Sequence, residues 1–126
     1  PRVFYKTLLP WTYSSEFIGA NRQALDSRED AVASLPKDWF EAFVGLCRAF
    51  LALDITESLH RVTCPSLVVV GELDILKHRG FASTIAEHLG GPVKLVEIPG
   101  AGHAAVIEKP GETADVFLAF FKEFGL

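Results

Sequence analysis

Cysteine and methionine are nearly missing from this sequence, which has two cysteines, Cys47 and Cys64, and no methionine. Two cysteines cannot form a disulfide framework, and both lie among apolar residues. We therefore interpret them as buried, reduced thiols and expect a cytoplasmic protein. No run of about 18 apolar residues occurs, so the sequence predicts no membrane-spanning helix, and segment 1–13 lacks the apolar core of a signal peptide.

A basic excess is also missing, because 12 lysines and arginines stand against 16 aspartates and glutamates, for a net charge of −4. Proteins that bind nucleic acids usually carry an excess of positive charge, so the composition argues against that class. A disordered tail is equally disfavoured, since 49% of the residues are hydrophobic and 22% are charged. The length of 126 residues fits one ordinary domain.

Residues 1–62, which we call the helical segment, have the periodicity of helices. One helix is predicted to begin at Asp38, which has with Glu41 the spacing of a capping box. Behind it, apolar residues form one wide stripe, which we interpret as a packing surface rather than a ligand site. Shorter helices are predicted near Ser14 or Ser15 and over residues 28–34 and 54–60. The stripe comprises Trp39, Phe40, Phe43, Val44, Leu46, Cys47, Phe50 and Leu51.

Residues 63–126 show the order strand, helix, strand, helix. Four consecutive aliphatic residues, Leu67 to Val70, predict a strand that is covered on both faces. A helix over 81–89, ended by a glycine pair at 90–91, leads to a second strand over 93–98. A final helix is predicted over 110–124. This order implies an α/β fold with a right-handed parallel crossover.

Two loops that follow the predicted strands carry the candidate chemistry. Asp74 ends the stretch Gly71-Glu-Leu-Asp74, and His103 ends the stretch Gly100-Ala-Gly-His103. Because the carboxyl ends of adjacent parallel strands meet at one edge of a sheet, we expect the two side chains to come within hydrogen-bonding range. A carboxylate beside an imidazole fixes the tautomer of the ring and stabilises its protonated form.

Simpler interpretations of these residues stay open at this point. Asp74 could be a helix-capping or turn aspartate, His103 an exposed loop histidine, and Glu72 either a supporting carboxylate or an exposed turn residue. A metal site formed by Asp74, His78 and His103 is conceivable. However, no close His-x-x-x-His or Cys-x-x-Cys spacing supports it, so we expect neither a metal nor a cofactor.

The same stretches resemble the C-terminal half of the α/β-hydrolase fold. The resemblance rests on Pro65-Ser-Leu-Val-Val-Val-Gly-Glu-Leu-Asp74, on Ile98-Pro-Gly-Ala-Gly-His103, and on Glu108-Lys-Pro110 before an aromatic helix. It implies that Asp74 is the acid and His103 the base of a catalytic triad, and that Glu108 and Pro110 form a structural turn. The helical segment resembles the cap, or lid, of that fold.

The sequence departs from the resemblance at the nucleophile. The family places it upstream of the acid in a G-x-S-x-G elbow, and no such motif occurs here. Ser14 and Ser15 lie in a cap-like stretch of aromatic and polar residues, and Ser66 lies inside the predicted buried strand, so none of them is placed as a nucleophile. The lack of methionine has two possible explanations. Either an initiator methionine was removed before Pro1, or the chain is part of a longer one.

Three functions therefore stay open. In the first, the chain is the downstream part of a hydrolase for esters, lactones or similar small-molecule bonds and is inactive alone. Alternatively, it is a non-catalytic binding module derived from such a half, or an unrelated α/β protein in which Asp74 and His103 act on a ligand. Two strands make a marginal sheet, so we also expect a homodimer or pairing with a missing N-terminal half.

Overall fold

The computed structural model describes residues 1–125, which form helices throughout the helical segment and a small parallel sheet after it. A 3₁₀ helix at Thr56–Arg61 separates the two parts. The α-helices are α1 (Arg2–Thr12), α2 (Ser15–Ala20), α3 (Arg22–Ala33), α4 (Lys37–Ala52), α5 (Arg79–His88), α6 (Ala105–Glu108) and α7 (Pro110–Phe124). The strands are β1 (Ser66–Gly71) and β2 (Val93–Ile98).

The helical segment is organised around α1, which packs against α2 and α3. Leu25 of α3 is buried, and the Tyr5 hydroxyl of α1 donates a hydrogen bond of 2.9 Å to its carbonyl oxygen. Phe4 joins α4 to this group through edge-to-face contacts with Phe40 and Phe43, as expected for a packing stripe. Other apolar residues of the same stripe are exposed, including Leu46 and Leu51.

The sheet consists of β1 and β2, which run parallel and are connected through α5. Ser66 pairs with Val93 and Gly71 pairs with Ile98, so both strands end at the same level. Ile98, Ala101 and Ala105 form the buried core beside α7, with Val116 packed against them. This register places the loop after β1 directly beside the loop after β2.

Both strands and the last helix match their predicted positions, whereas several details of the helices differ. The predicted capping box at Asp38 and Glu41 is wrong, because α4 begins at Lys37 after Pro36 and has no side-chain cap. The helix predicted over 28–34 begins six residues earlier, at Arg22. Helix α1 was not predicted, because Pro10 within it interrupts the sequence signal.

Two further expectations are corrected by burial and backbone geometry. Cys47 and Cys64 are free thiols as expected, but both are exposed rather than buried. Gly90 does not end α5 in a left-handed turn, since Gly100 and Gly125 are the glycines with positive φ within residues 1–125. Instead, Gly90 and Gly91 allow the chain to pass close to the backbone of His60 and Thr63.

None of the helices within residues 1–125 combines the length and apolar character that a bilayer crossing requires.

Candidate active site

The loops that follow the two strands are bonded to each other. We call residues 72–78 the acid loop and residues 99–104 the histidine loop. The Glu72 N–H donates to the carbonyl oxygen of Ile98 at 3.0 Å, and the Leu73 N–H donates to that of Ala101 at 2.8 Å. These backbone bonds continue the strand pairing past the end of the sheet and hold the two loops side by side.

Asp74 and His103 meet across this junction. The distance from His103 Nδ1 to Asp74 Oδ2 is 2.9 Å, so the two side chains lie in hydrogen-bonding range as the strand ends predict. The Asp74 side chain is 5% exposed and the His103 side chain 38% exposed. The carboxylate is therefore enclosed, while the imidazole reaches the surface where a substrate can contact it.

The charge state of Asp74 follows from its hydrogen bonds. Its Oδ1 accepts the N–H groups of Leu76 at 2.9 Å and Lys77 at 2.7 Å. Burial raises the pKa of Asp74, but the bonds from Lys77, His103 and Leu76 outweigh burial and bring the pKa below its ordinary value. An ionised carboxylate only accepts, so His103 Nδ1 carries the proton between them, and in the neutral form of the ring Nε2 is the acceptor.

A second carboxylate supports the turn of the histidine loop. Glu72 Oε2 accepts the Gly100 N–H at 2.8 Å, and Gly100 has a φ of +68°. A left-handed φ favours glycine, which accounts for the first glycine of the Gly-Ala-Gly-His stretch. Both interpretations left open for Glu72 describe it, since it is an exposed turn residue whose carboxylate also supports the histidine loop.

Glu108 holds the histidine loop from the other side. Its Oε1 accepts the Gly102 N–H at 2.9 Å, and its Oε2 accepts the Ser14 N–H of the helical segment at 3.0 Å. The Ala104 N–H also donates to the carbonyl oxygen of Thr12 at 3.0 Å. Sequence reasoning missed the link between Glu108 and Ser14, because no local pattern relates residues that are 94 positions apart.

A cavity of about 280 Å³ lies beside Asp74 and His103. Its walls come from β1, α5 and α6 and are mainly aliphatic or aromatic, with Asp74, Lys77 and His103 as the titratable groups. Its lining includes Val68, Val69, Val70, Phe81, Ile85 and Val106. The imidazole thus faces an apolar space of a size suited to a small organic group.

The other candidate residues have separate structural roles. His78 Nδ1 accepts the Gly80 N–H at 3.0 Å and caps α5, so His78 does not join Asp74 and His103. Within residues 1–125 no three His, Cys, Asp or Glu side chains are grouped as metal ligands. The Ser14 hydroxyl accepts the Phe17 N–H at the start of α2, and the Ser66 hydroxyl donates to the carbonyl oxygen of Cys64.

No protein-family model and no curated protein is matched by this chain. Three solved structures resemble it at 20–24% sequence identity. The matched region covers 95–97% of this chain and 44–47% of each of those chains. They are the α/β-hydrolase enzyme MGS-M2 from a Medee basin deep-sea metagenome library (TM-score 0.84), the enol-lactonase from Burkholderia xenovorans LB400 (0.81), and CarC, a serine hydrolase involved in carbazole degradation (0.76).

These similarities establish the fold. The chain has the α/β architecture of roughly the second half of an α/β hydrolase, as the strand-end motifs predict. It spans less than half the length of each similar structure. The catalytic roles of Asp74 and His103 stay predictions.

Proposed function

We propose that this chain supplies the acid, Asp74, and the base, His103, of a hydrolase that cleaves an ester, a lactone or a similar bond in a small molecule. The single observation that supports this function is the 2.9 Å contact between Asp74 Oδ2 and His103 Nδ1 at the ends of two parallel strands. The nucleophile belongs to a segment outside these 126 residues. No cofactor is required by this chemistry.

The geometry suits general-base catalysis by His103. Nε2, which points away from Asp74, takes the proton of the nucleophile as it attacks the substrate carbonyl, and later gives that proton to the leaving group. Asp74 keeps the ring in the required tautomer and stabilises the imidazolium that forms. Because Asp74 is buried and bonded to two backbone N–H groups, the carboxylate keeps its place while the imidazole changes charge.

We further propose that the nucleophile-bearing segment docks on the open edge of β1. Within residues 1–125, β1 pairs with β2 on one side, and no strand covers its other edge. The apolar cavity runs along three consecutive residues of that strand, Val68 to Val70. An added strand would satisfy the backbone groups of β1 and cover these side chains.

The helical segment offers a second surface for the same partner. Helix α4 exposes apolar side chains, among them Trp39, Val44 and Leu46. Contiguous exposed apolar surface is typical of an interaction site. The chain covers 44% of MGS-M2, so the remainder of such a fold is large enough to cover both surfaces.

A chimera tests the function directly. Residues 1–126 would replace the structurally matching part of MGS-M2, which leaves the upstream part of that hydrolase in place. We expect a burst of p-nitrophenol from p-nitrophenyl acetate. His103→Ala and Asp74→Asn should each lower turnover by about 10⁴-fold, because members of a triad act as a unit. His88→Ala, a change at an exposed helix residue, is the matched control and should leave turnover unchanged.

The same chimera tests the docking edge. Amides of β1 that do not bond to β2 should exchange rapidly with deuterium in the chain alone and slowly in the chimera. A chimera that unfolds cooperatively but shows no turnover dependent on His103 would contradict the hydrolase function and favour a non-catalytic binding module. A stable dimer of the chain alone in sedimentation equilibrium would instead assign the edge to a second copy.

We also propose a cytoplasmic location. The two exposed thiols, Cys47 and Cys64, form no disulfide, which supports a reducing compartment.

A further inference from the structure

We propose that Glu108 is a positioning residue that couples the helical segment to His103. In this arrangement, the junction between α1 and α2 sets the orientation of the imidazole through the carboxylate of Glu108. What the oriented ring does rests on the proposed function, whereas the coupling itself concerns the protein without substrate.

The carboxylate of Glu108 bridges two backbone segments that are distant in sequence. One oxygen accepts the N–H of Gly102, the residue immediately before His103, and the other accepts the N–H of Ser14, where α2 begins. Both bonds have a charged acceptor, which makes them stronger than bonds between neutral groups. Glu108 forms no ion pair within residues 1–125, so the N–H groups of Gly102 and Ser14 are its polar partners.

Ser14 requires such a partner because it is the N-cap of α2. Its hydroxyl accepts the N–H of Phe17, whereas its own N–H forms its bond outside α2, with Glu108. In a capping box, a Glu or Gln three residues after the N-cap accepts that N–H. Phe17 occupies that position here and cannot do so. Glu108 takes the role from 94 residues away, which makes the start of α2 depend on the residues that follow the histidine loop.

A second bond restricts His103 from its other side. The Ala104 N–H donates to the carbonyl oxygen of Thr12 at 3.0 Å, so both neighbours of His103 are held at the α1–α2 junction. The approach at Gly102 is close, since a Cβ there would lie 2.8 Å from Ser14 N and 2.8 Å from Glu108 Oε1. The backbone of His103 is thus fixed by Gly102 and Ala104, and a shift of residues 12–14 moves the ring relative to Asp74.

Nuclear magnetic resonance of the 126-residue protein tests this coupling without substrate. The probes are the Nδ1–H signal of His103, which reports the bond to Asp74, and the exchange rates of the Gly102 and Ser14 amides. In Glu108→Gln, the side-chain NH₂ group can only donate a hydrogen bond. Either the Gly102 N–H or the Ser14 N–H therefore loses its acceptor. We expect exchange of at least one amide to rise by about tenfold or more. We also expect the His103 signal to broaden or disappear.

Glu112→Gln is the control for removal of a charge in the same region, because Glu112 lies exposed in the first turn of α7. It should leave the His103 signal and both exchange rates as they are. Faster amide exchange in Glu108→Gln with an unchanged His103 signal would overturn the proposal, because Glu108 would then only fasten the loop.

A matched pair at Ser14 tests the coupling from the other end, and decides it if Glu108→Gln fails to fold. Ser14 has a φ of −63° and Tyr13 is extended, so Ser14→Pro fits the backbone while it removes the N–H. Ser14→Ala removes the hydroxyl and keeps the N–H. We expect loss of the His103 signal in Ser14→Pro and its retention in Ser14→Ala.

Equal His103 signals in the two Ser14 variants would overturn the coupling. These outcomes are independent of turnover. An inactive chimera with a responsive His103 signal would refute the hydrolase function alone, and an active chimera with an unresponsive signal would refute the coupling alone.

Discussion

Gly71 lies directly against the carbonyl oxygens of Ala101 and Gly102, so the end of β1 touches the histidine loop through backbone alone. A Cβ on Gly71 would collide with both oxygens. The Leu73 N–H reaches the Ala101 carbonyl oxygen at 2.8 Å because no side chain separates the loops. Gly71 therefore determines the spacing that brings Asp74 to His103.

Replacement of this glycine should separate the loops. We expect Gly71→Ala to lower the free energy of unfolding by about 1–3 kcal/mol, the range for an added methyl group in a closely packed position. The Asp74–His103 hydrogen bond should weaken at the same time. Chemical denaturation measures the first effect, and the His103 Nδ1–H resonance measures the second.

Gly45 is the matched control for this substitution. It lies within α4, and a Cβ there meets nothing within 4 Å. Gly45→Ala should raise the free energy of unfolding by about 0.5–1 kcal/mol, since alanine favours a helix more than glycine does. Stabilisation by Gly71→Ala as well would show that the loops are not in contact at this point.

The sequence predicts the sheet and the contact between Asp74 and His103 better than it predicts the helical segment. Strand periodicity and strand-end motifs are local signals, and the parallel register converts them into the contact between Asp74 and His103. The start of α2 depends on Glu108, which no pattern within the helical segment reveals. The exposure of Cys47 was also not predictable, because an apolar helix face looks the same in sequence whether or not another element covers it.

Stability should depend on pH through Asp74. Its pKa in the folded protein lies below the ordinary value of 3.8, so the ionised group stabilises the folded state above that pH. This contribution is lost as the pH falls from 3.8 through the folded-state pKa. We expect Asp74→Asn to lower the free energy of unfolding at pH 7 by roughly 1–3 kcal/mol and to flatten its decline in acid.

Asp54 provides the comparison for that titration. Its pKa is also lowered, by hydrogen bonds from Thr56, but Asp54 is exposed. Denaturant titrations of Asp54→Asn across the same pH range should show a smaller change, because solvent screens an exposed carboxylate. An equal change in the two variants would contradict the enclosed position of Asp74.

Lys77 links the acid loop to α4. Its Nζ lies 4.3 Å from the centre of the Phe50 ring, and its backbone N–H donates a hydrogen bond to Asp74 Oδ1. We expect Phe50→Leu to destabilise the protein by about 0.5–1 kcal/mol, the size of a cation–π contact at an exposed site. A double-mutant cycle with Lys77→Met should give a coupling free energy of the same size. Leu51→Ala, at a residue that is 85% exposed, is the control and should change stability little. A coupling free energy of zero between Lys77 and Phe50 would refute the link.

The chain alone should not hydrolyse activated esters at the rate of an enzyme. It has the proposed acid and base but no G-x-S-x-G elbow, and the hydroxyls of Ser14 and Ser66 form hydrogen bonds with backbone groups. General-base catalysis by a single histidine contributes roughly 10²–10⁴-fold and forms no acyl intermediate. With p-nitrophenyl acetate we expect a slow release of p-nitrophenol that is linear in substrate and has no burst. His88→Ala should release it at the same rate as the unmodified chain. A saturable burst that disappears in His103→Ala would mean that the 126 residues contain their own nucleophile, and the proposed division of the triad between two segments would be wrong.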